Sequence, residues 1–187
     1  MGQIRNGTID RAKAISELDD LLKLCEEHNV KNYKTKILNE KLHLHSKDSK
    51  VDQISKVLSQ ISEVNKQEKF NFNSVKQIIT IIRDSNYAKL KQQLREFLEQ
   101  FDQEIKLRAY LYLFERAIDA NDKAESKELF AKVEGLVEEQ ENLAAALQLE
   151  YYSLDIKYSQ LIGSDIADKV HQIELRLPKL EAEAYMS

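Results

Sequence analysis

The sequence has almost none of the residues that break helices or turn strands back on themselves. Its 187 residues include one proline and four glycines. Average usage would be about 7% glycine and about 5% proline, and sheets joined by tight turns need such residues at short intervals. The shortage argues against a β-rich or α/β domain. The residues that dominate instead (Leu, Lys, Glu, Ala, Gln and Ile) are mostly good helix formers. A single cysteine, Cys25, excludes an internal disulfide and fits a reducing compartment. The longest apolar runs, Ile78 to Ile82 and Leu143 to Leu147, are far too short to span a bilayer. The N-terminus lacks the apolar stretch of a secretory signal, and Gly2 followed by Asn6 does not match a myristoylation pattern. The expectation is a soluble cytoplasmic protein without a membrane partner.

What the chain has in quantity is charge, at 32% of residues with a net of −4. The two halves differ in sign. Residues 1–95 hold 18 Lys and Arg against 12 Asp and Glu, whereas residues 96–187 hold 10 against 20. Such a split can steer partners or drive self-association of the basic N-terminal half with the acidic C-terminal half. Solvated helix faces drawn unevenly from Lys and Glu produce the same counts. The lysines are scattered among acids and do not cluster with stacking aromatics, so no nucleic-acid partner is expected.

Apolar residues recur at helical spacing almost throughout. Ile9, Ala12, Ile15, Leu18, Leu22 and Cys25 form one stripe, ending near His28 and Asn29. Tyr33, Ile37, Leu38, Leu42 and Leu44 form a second, and Val51, Ile54, Leu58, Ile61 and Val64 a third that opens on Ser49 and Asp52. A polar break follows at residues 65–69. Val75, Ile78, Ile79 and Ile82 then read as a short buried helix entered through Asn73 and Ser74. Their β-branched character alone would allow a strand, but nothing else in the chain could pair with it. Later stripes run from Tyr87 to Phe101, Leu107 to Ile118, Ala124 to Leu136 and Leu143 to Leu161. Gly163 is a natural left-handed stop, Ser164 is the expected cap of the next helix, and Pro178 should kink or end it.

That is about nine helices with short connections, which makes successive helices antiparallel neighbours. Second members of pairs begin near Ser49, Asn86, Asp122 and Ser164, at intervals of 37, 36 and 42 residues. A recurrence of this length is the signature of helix-pair solenoids. The expected fold is all-α: a right-handed α-solenoid of about four antiparallel pairs with flanking helices. The pairs fall at about 32–64, 73–101, 106–137 and 142–177, within one domain of residues 1–187.

Residues 106–137 resemble a tetratricopeptide-type pair. Tyr110 and Leu113 occupy the large positions of its first helix, Ser126 the small position of its second, and Phe130, Val133 and Leu136 the core positions. Phe114 stands where that motif has Gly, Ala117 where it has Tyr, and Glu138 where it has Pro. The layout of residues 73–137 is also similar to the helical repeats of PCI-type subunits, although no winged helix follows. The resemblance implies a scaffold or adaptor role, either as a repeat domain or as a fragment of such an assembly subunit. A compact helical bundle with a regulatory role is the other reading.

Chemistry finds little support in the residues. Cys25 and His28 could share a helix face, but His43 and His45 are two residues apart and cannot. No Gly-rich phosphate loop or base beside an activated nucleophile is present, so no catalytic site, metal or other cofactor is expected. The first helices of the pairs, in contrast, carry polar and aromatic residues off their core stripes. These are Lys76, Thr80 and Arg83 on one, Arg108, Tyr112, Arg116 and Asp119 on the next, and Gln148, Tyr152 and Asp155 on the last. In helix-pair solenoids the first helices line the concave face, so these ten are candidate contacts for a protein partner, bound as a peptide or a helix.

Overall fold

The computed structural model describes residues 10–30, 33–48, 50–67, 70–140 and 143–186. Among the described residues it is all-helical, with nine helices and no strand. These are α1 (Arg11–Glu27), α2 (Lys34–Lys47), α3 (Val51–Gln67), α4 (Phe72–Arg83), α5 (Tyr87–Leu98), α6 (Gln103–Asp119), α7 (Lys123–Glu138), α8 (Ala145–Ile162) and α9 (Ala167–Met186). Ile9, the expected cap Ser49 and the expected pair boundaries at 32 and 142 lie outside the described residues.

Several helix starts follow side chains that accept from otherwise unpaired amides, whereas α2, α5 and α8 start without one. Asp10 accepts from Ala12 and Lys13, Asp102 from Ile105 at 2.9 Å and Asp122 from Glu125 at 2.9 Å. Two starts differ from the sequence reading. α4 is capped two residues before Asn73, because Asn71 accepts from the Ser74 amide at 3.0 Å. Asp165, not Ser164, accepts from the Ala167 amide, since its carboxylate is the stronger acceptor and sits one residue nearer the helix.

Three helices stop the same way, on a residue in the left-handed region followed by an amide that reaches back five residues. Asn29 (φ 52°), Asn121 (φ 56°) and Gly163 (φ 76°) occupy that position. The returning bonds are Val30 to Cys25, Asp122 to Ala117 and Ser164 to Ser159, at 2.8, 3.0 and 2.8 Å. Asn tolerates this conformation better than other non-Gly residues, which is how the chain ends helices with so little glycine.

Two helices run further than their apolar stripes. α3 continues through Asn65 to Gln67, where the sequence shows a polar break, because a last turn outside the buried core needs no apolar residue. α9 continues past Pro178. Pro178 and Glu174 are both exposed, so the Glu174 carbonyl left without its helical donor can be hydrated.

The helices gather into two compact units, residues 1–100 and 101–187. In the first, α2 packs on α1, α3 and α4, while α5 packs on α3 and α4. Leu42, Ile54, Ile61, Val75, Ile78, Ile79, Ile82, Leu90 and Leu98 are fully excluded from water. Burial of each such side chain stabilises by about 1.5–3 kcal/mol, so this core dominates the unit. α3 and α5 run in register. Ser55 donates to Gln93 at 2.6 Å and Gln100 donates to Ser62 at 3.1 Å, each pair 38 residues apart. The second contact lies seven residues further along both segments, Gln100 being just past the end of α5, so the two helices run parallel.

In the second unit α6 packs on α7 and α8, α7 also touches α8, and α8 packs on α9. Its centre is aromatic. Phe114 meets Phe130 and Tyr158 at ring separations of 5.9 and 5.6 Å, and Phe130 stacks on Tyr158 at 4.9 Å. Ser126 is fully buried in α7.

Candidate functional site

In the first unit α2 and α4 leave a solvent-open depression of about 680 Å³ between them. It is lined by Asn39, Glu40 and His43 from α2 and by Asn73, Lys76, Gln77, Thr80 and Ile81 from α4. The spacing explains the lining: 39 and 43 lie one turn apart on α2, as do 73, 77 and 81 on α4. Because Leu38 and Leu42 of α2 and Ile78, Ile79 and Ile82 of α4 turn into the core, the residues beside them are directed into the depression. Two of the expected contact residues, Lys76 and Thr80, are therefore part of this surface. The third, Arg83, is half-buried, with its guanidinium 4.7 Å from the centre of the Tyr87 ring.

The three carboxamides give the depression its chemical character, since each offers both donor and acceptor. Glu40 and Lys76 add one charge of each sign. Thr80 Oγ1 donates to the Lys76 carbonyl of its own helix at 2.9 Å. The α2 side of the surface, Asn39, Glu40 and His43, was missed by the sequence reading, which drew its candidates from the later pairs. The signal was available in the equivalence of α2 to the first helices of those pairs.

In the second unit the expected residues divide into two groups. Arg108, Tyr112, Arg116 and Asp119 form one stripe along α6. Arg108 binds Glu104 at 2.9 Å and Arg116 lies 3.9 Å from Asp119, both within the helix. The α8 residues instead serve internal contacts. Gln148 donates to the Leu143 carbonyl at 2.7 Å and so ties the start of α8. Tyr152 accepts from Arg176 at 2.6 Å, and Asp155 accepts from Lys169 at 2.6 Å, both donors being on α9. The cavity among Tyr152, Asp155, Lys169, Ile173 and Arg176 is only about 50 Å³. That is room for little more than a water molecule.

Lys169 also donates to Ser159 at 3.0 Å. This Ser and Lys arrangement lacks a reaction surface, because Ser159 is buried. Burial, with Asp155 and Glu134 nearby, pushes the neighbouring Tyr151 phenol up, so it stays a neutral hydroxyl.

Among the described residues no group of three or more His, Cys, Asp and Glu could hold a metal ion. Cys25 is buried and His28 exposed, while His43 faces the depression and His45 the interior. The two histidines of α2 thus take opposite sides, as their spacing dictates. No described helix is long and apolar enough to cross a membrane. No protein-family model matches the chain, and no match is found among curated proteins or solved structures.

Proposed function

We propose that the protein is a non-catalytic interaction module, a scaffold or adaptor whose helix pairs stack as α-solenoid units. In this reading the first helices of successive pairs take a partner segment, an extended peptide or a helix, along their polar surface. The observation that carries it is the α2–α4 depression, whose volume lies in the range of binding sites (about 300–1,000 Å³) while its open form suits a chain laid across it. Carboxamides at Asn39, Asn73 and Gln77 match the alternating donors and acceptors of a peptide main chain, and Ile81 offers an apolar contact. The in-register contact of α3 with α5 supports the stacking, since helix pairs related by a repeat bring equivalent helices side by side.

The test uses a phage-displayed library of random peptides, panned on the purified chain and followed by titration of the selected peptides. Two double variants are compared with wild type, Lys76→Ala/Gln77→Ala in the first unit and Tyr112→Ala/Arg116→Ala in the second. Loss of about tenfold or more in affinity in one of them, with the helical content unchanged, is the expected result. Peptides that bind both variants as well as wild type, or a library that yields no binder, would overturn the reading.

A further inference from the structure

The attachment of α1 is unlike that of any other helix in its unit. Its only residue in the buried core is Cys25, and Leu21 and Leu24 remain 47% and 48% exposed. Ala14, Ile15, Leu18 and Leu22 are half-buried, and two ion pairs add to its hold on the α2 side: Asp19 with Lys41 at 2.5 Å, and Arg11 with Asp48. Lys41 is itself buried, at 6% exposure. One turn further along α2 lies His45, also 6% exposed, whose Nδ1 has no hydrogen-bond partner among the described residues. The charged groups that act on it are Lys41 of α2, Lys50 and Asp48 of the α2–α3 turn, and Asp19 of α1. Both carboxylates already have partners, Asp19 in Lys41 and Asp48 in Arg11 and Lys50.

We propose that His45 is an acid-sensitive latch: a proton taken up by its imidazole releases α1 from α2 and makes Cys25 accessible. A protonated ring would be a buried cation between two lysines, with no carboxylate unengaged to receive it. Competition for Asp19 or Asp48 would break the ion pairs that dock α1. Burial first, and Lys41 next, hold the His45 pKa below its ordinary value. The unfolded or released segment therefore binds the proton more tightly than the docked one. Docking is at full strength above about pH 6.5 and weakens as pH falls below it, toward the lower pKa of the docked state.

The lone cysteine supplies the readout. The rate at which 4,4′-dithiodipyridine modifies Cys25 is measured on the intact chain between about pH 7.5 and about pH 5, and divided by the rate for the urea-unfolded chain at each pH. This ratio removes the thiol's own pH dependence. The expected result is a rise of about tenfold in the ratio on acidification, absent in His45→Gln and His45→Phe, while the far-UV circular dichroism loses no more than one helix. Asp19→Asn is expected to raise the ratio already at the upper pH. A flat wild-type ratio, or an acid rise that persists in both His45 variants, would overturn the proposal. If one His45 variant proves unfolded by circular dichroism, the other decides.

Discussion

α1 and α6 are both 17 residues long, yet they belong to their units by different physics. α6 places Leu107, Ala109, Tyr110, Leu111, Leu113, Phe114 and Ala117 in the core, and apolar burial with aromatic contact holds it. α1 places Cys25 alone there, leaves Ala14, Ile15, Leu18 and Leu22 half-buried, and adds two ion pairs with the α2 side. Burial of α6's side chains is short-ranged, insensitive to salt and distributed over many atoms. The ion pairs of α1 are few, depend on the protonation and screening of single groups, and can be undone one at a time. α6 thus organises its unit, whereas the proposed latch would make α1 a conditionally bound helix.

The sharpest blow to this contrast would come from Phe114→Ala. It removes a fully buried ring and its contacts with Phe130 and Tyr158, and we expect a loss of about 3–5 kcal/mol in the stability of the second unit by urea denaturation. A loss below 1 kcal/mol, on the order of an exposed substitution, would mean that α6 is not held by its apolar face. Asp19→Asn comes next. It leaves the Lys41 ammonium buried without its partner, and the expected cost is about 1–3 kcal/mol, read as earlier loss of α1 helicity. Removal of the cap in Asp122→Ala should lower the stability of the second unit by about 1 kcal/mol, through α7 alone.

Gly135→Ala gives the smallest expected change, and it is a gain. Gly135 lies inside α7 with open space where a Cβ would be placed, so helix propensity predicts a stabilisation of about 0.5–1 kcal/mol, visible as a higher melting temperature. Salt sharpens the contrast without any substitution. Raising NaCl to about 1 M shortens the screening length to about 3 Å, which should speed thiol modification of Cys25 while leaving the second unit's denaturation midpoint nearly unmoved.

Much of this architecture was legible in the residues. The spacing of Leu90, Leu94, Phe97 and Leu98 marked α5, Asp122 marked the start of α7, and Gly163 marked the end of α8, because each depends on neighbours within one or two turns. The buried run Ile78 to Ile82 was correctly helical for a different reason, the absence of any strand to pair with it. The candidate contacts lie in different settings. Lys76 and Thr80 do line a surface depression, whereas Tyr152 and Asp155 are engaged by Arg176 and Lys169. A position off the core stripe has two possible fates, solvent or the side of another helix. Periodicity along one helix does not distinguish them.

The sequence by itself determined that the chain is helical, roughly where each helix begins and ends, and which face of most of them turns inward. Those properties follow from backbone propensity, capping side chains and a period of 3.6, all of them local. Tertiary structure decided which polar groups meet: Asn39 and His43 beside Lys76 and Gln77, Asp19 against Lys41, and His45 buried among four charged groups while His43, two residues away, faces solvent. Such meetings depend on the distance and rotation between helices. Packing of the two cores sets these, and no spacing within one helix encodes them.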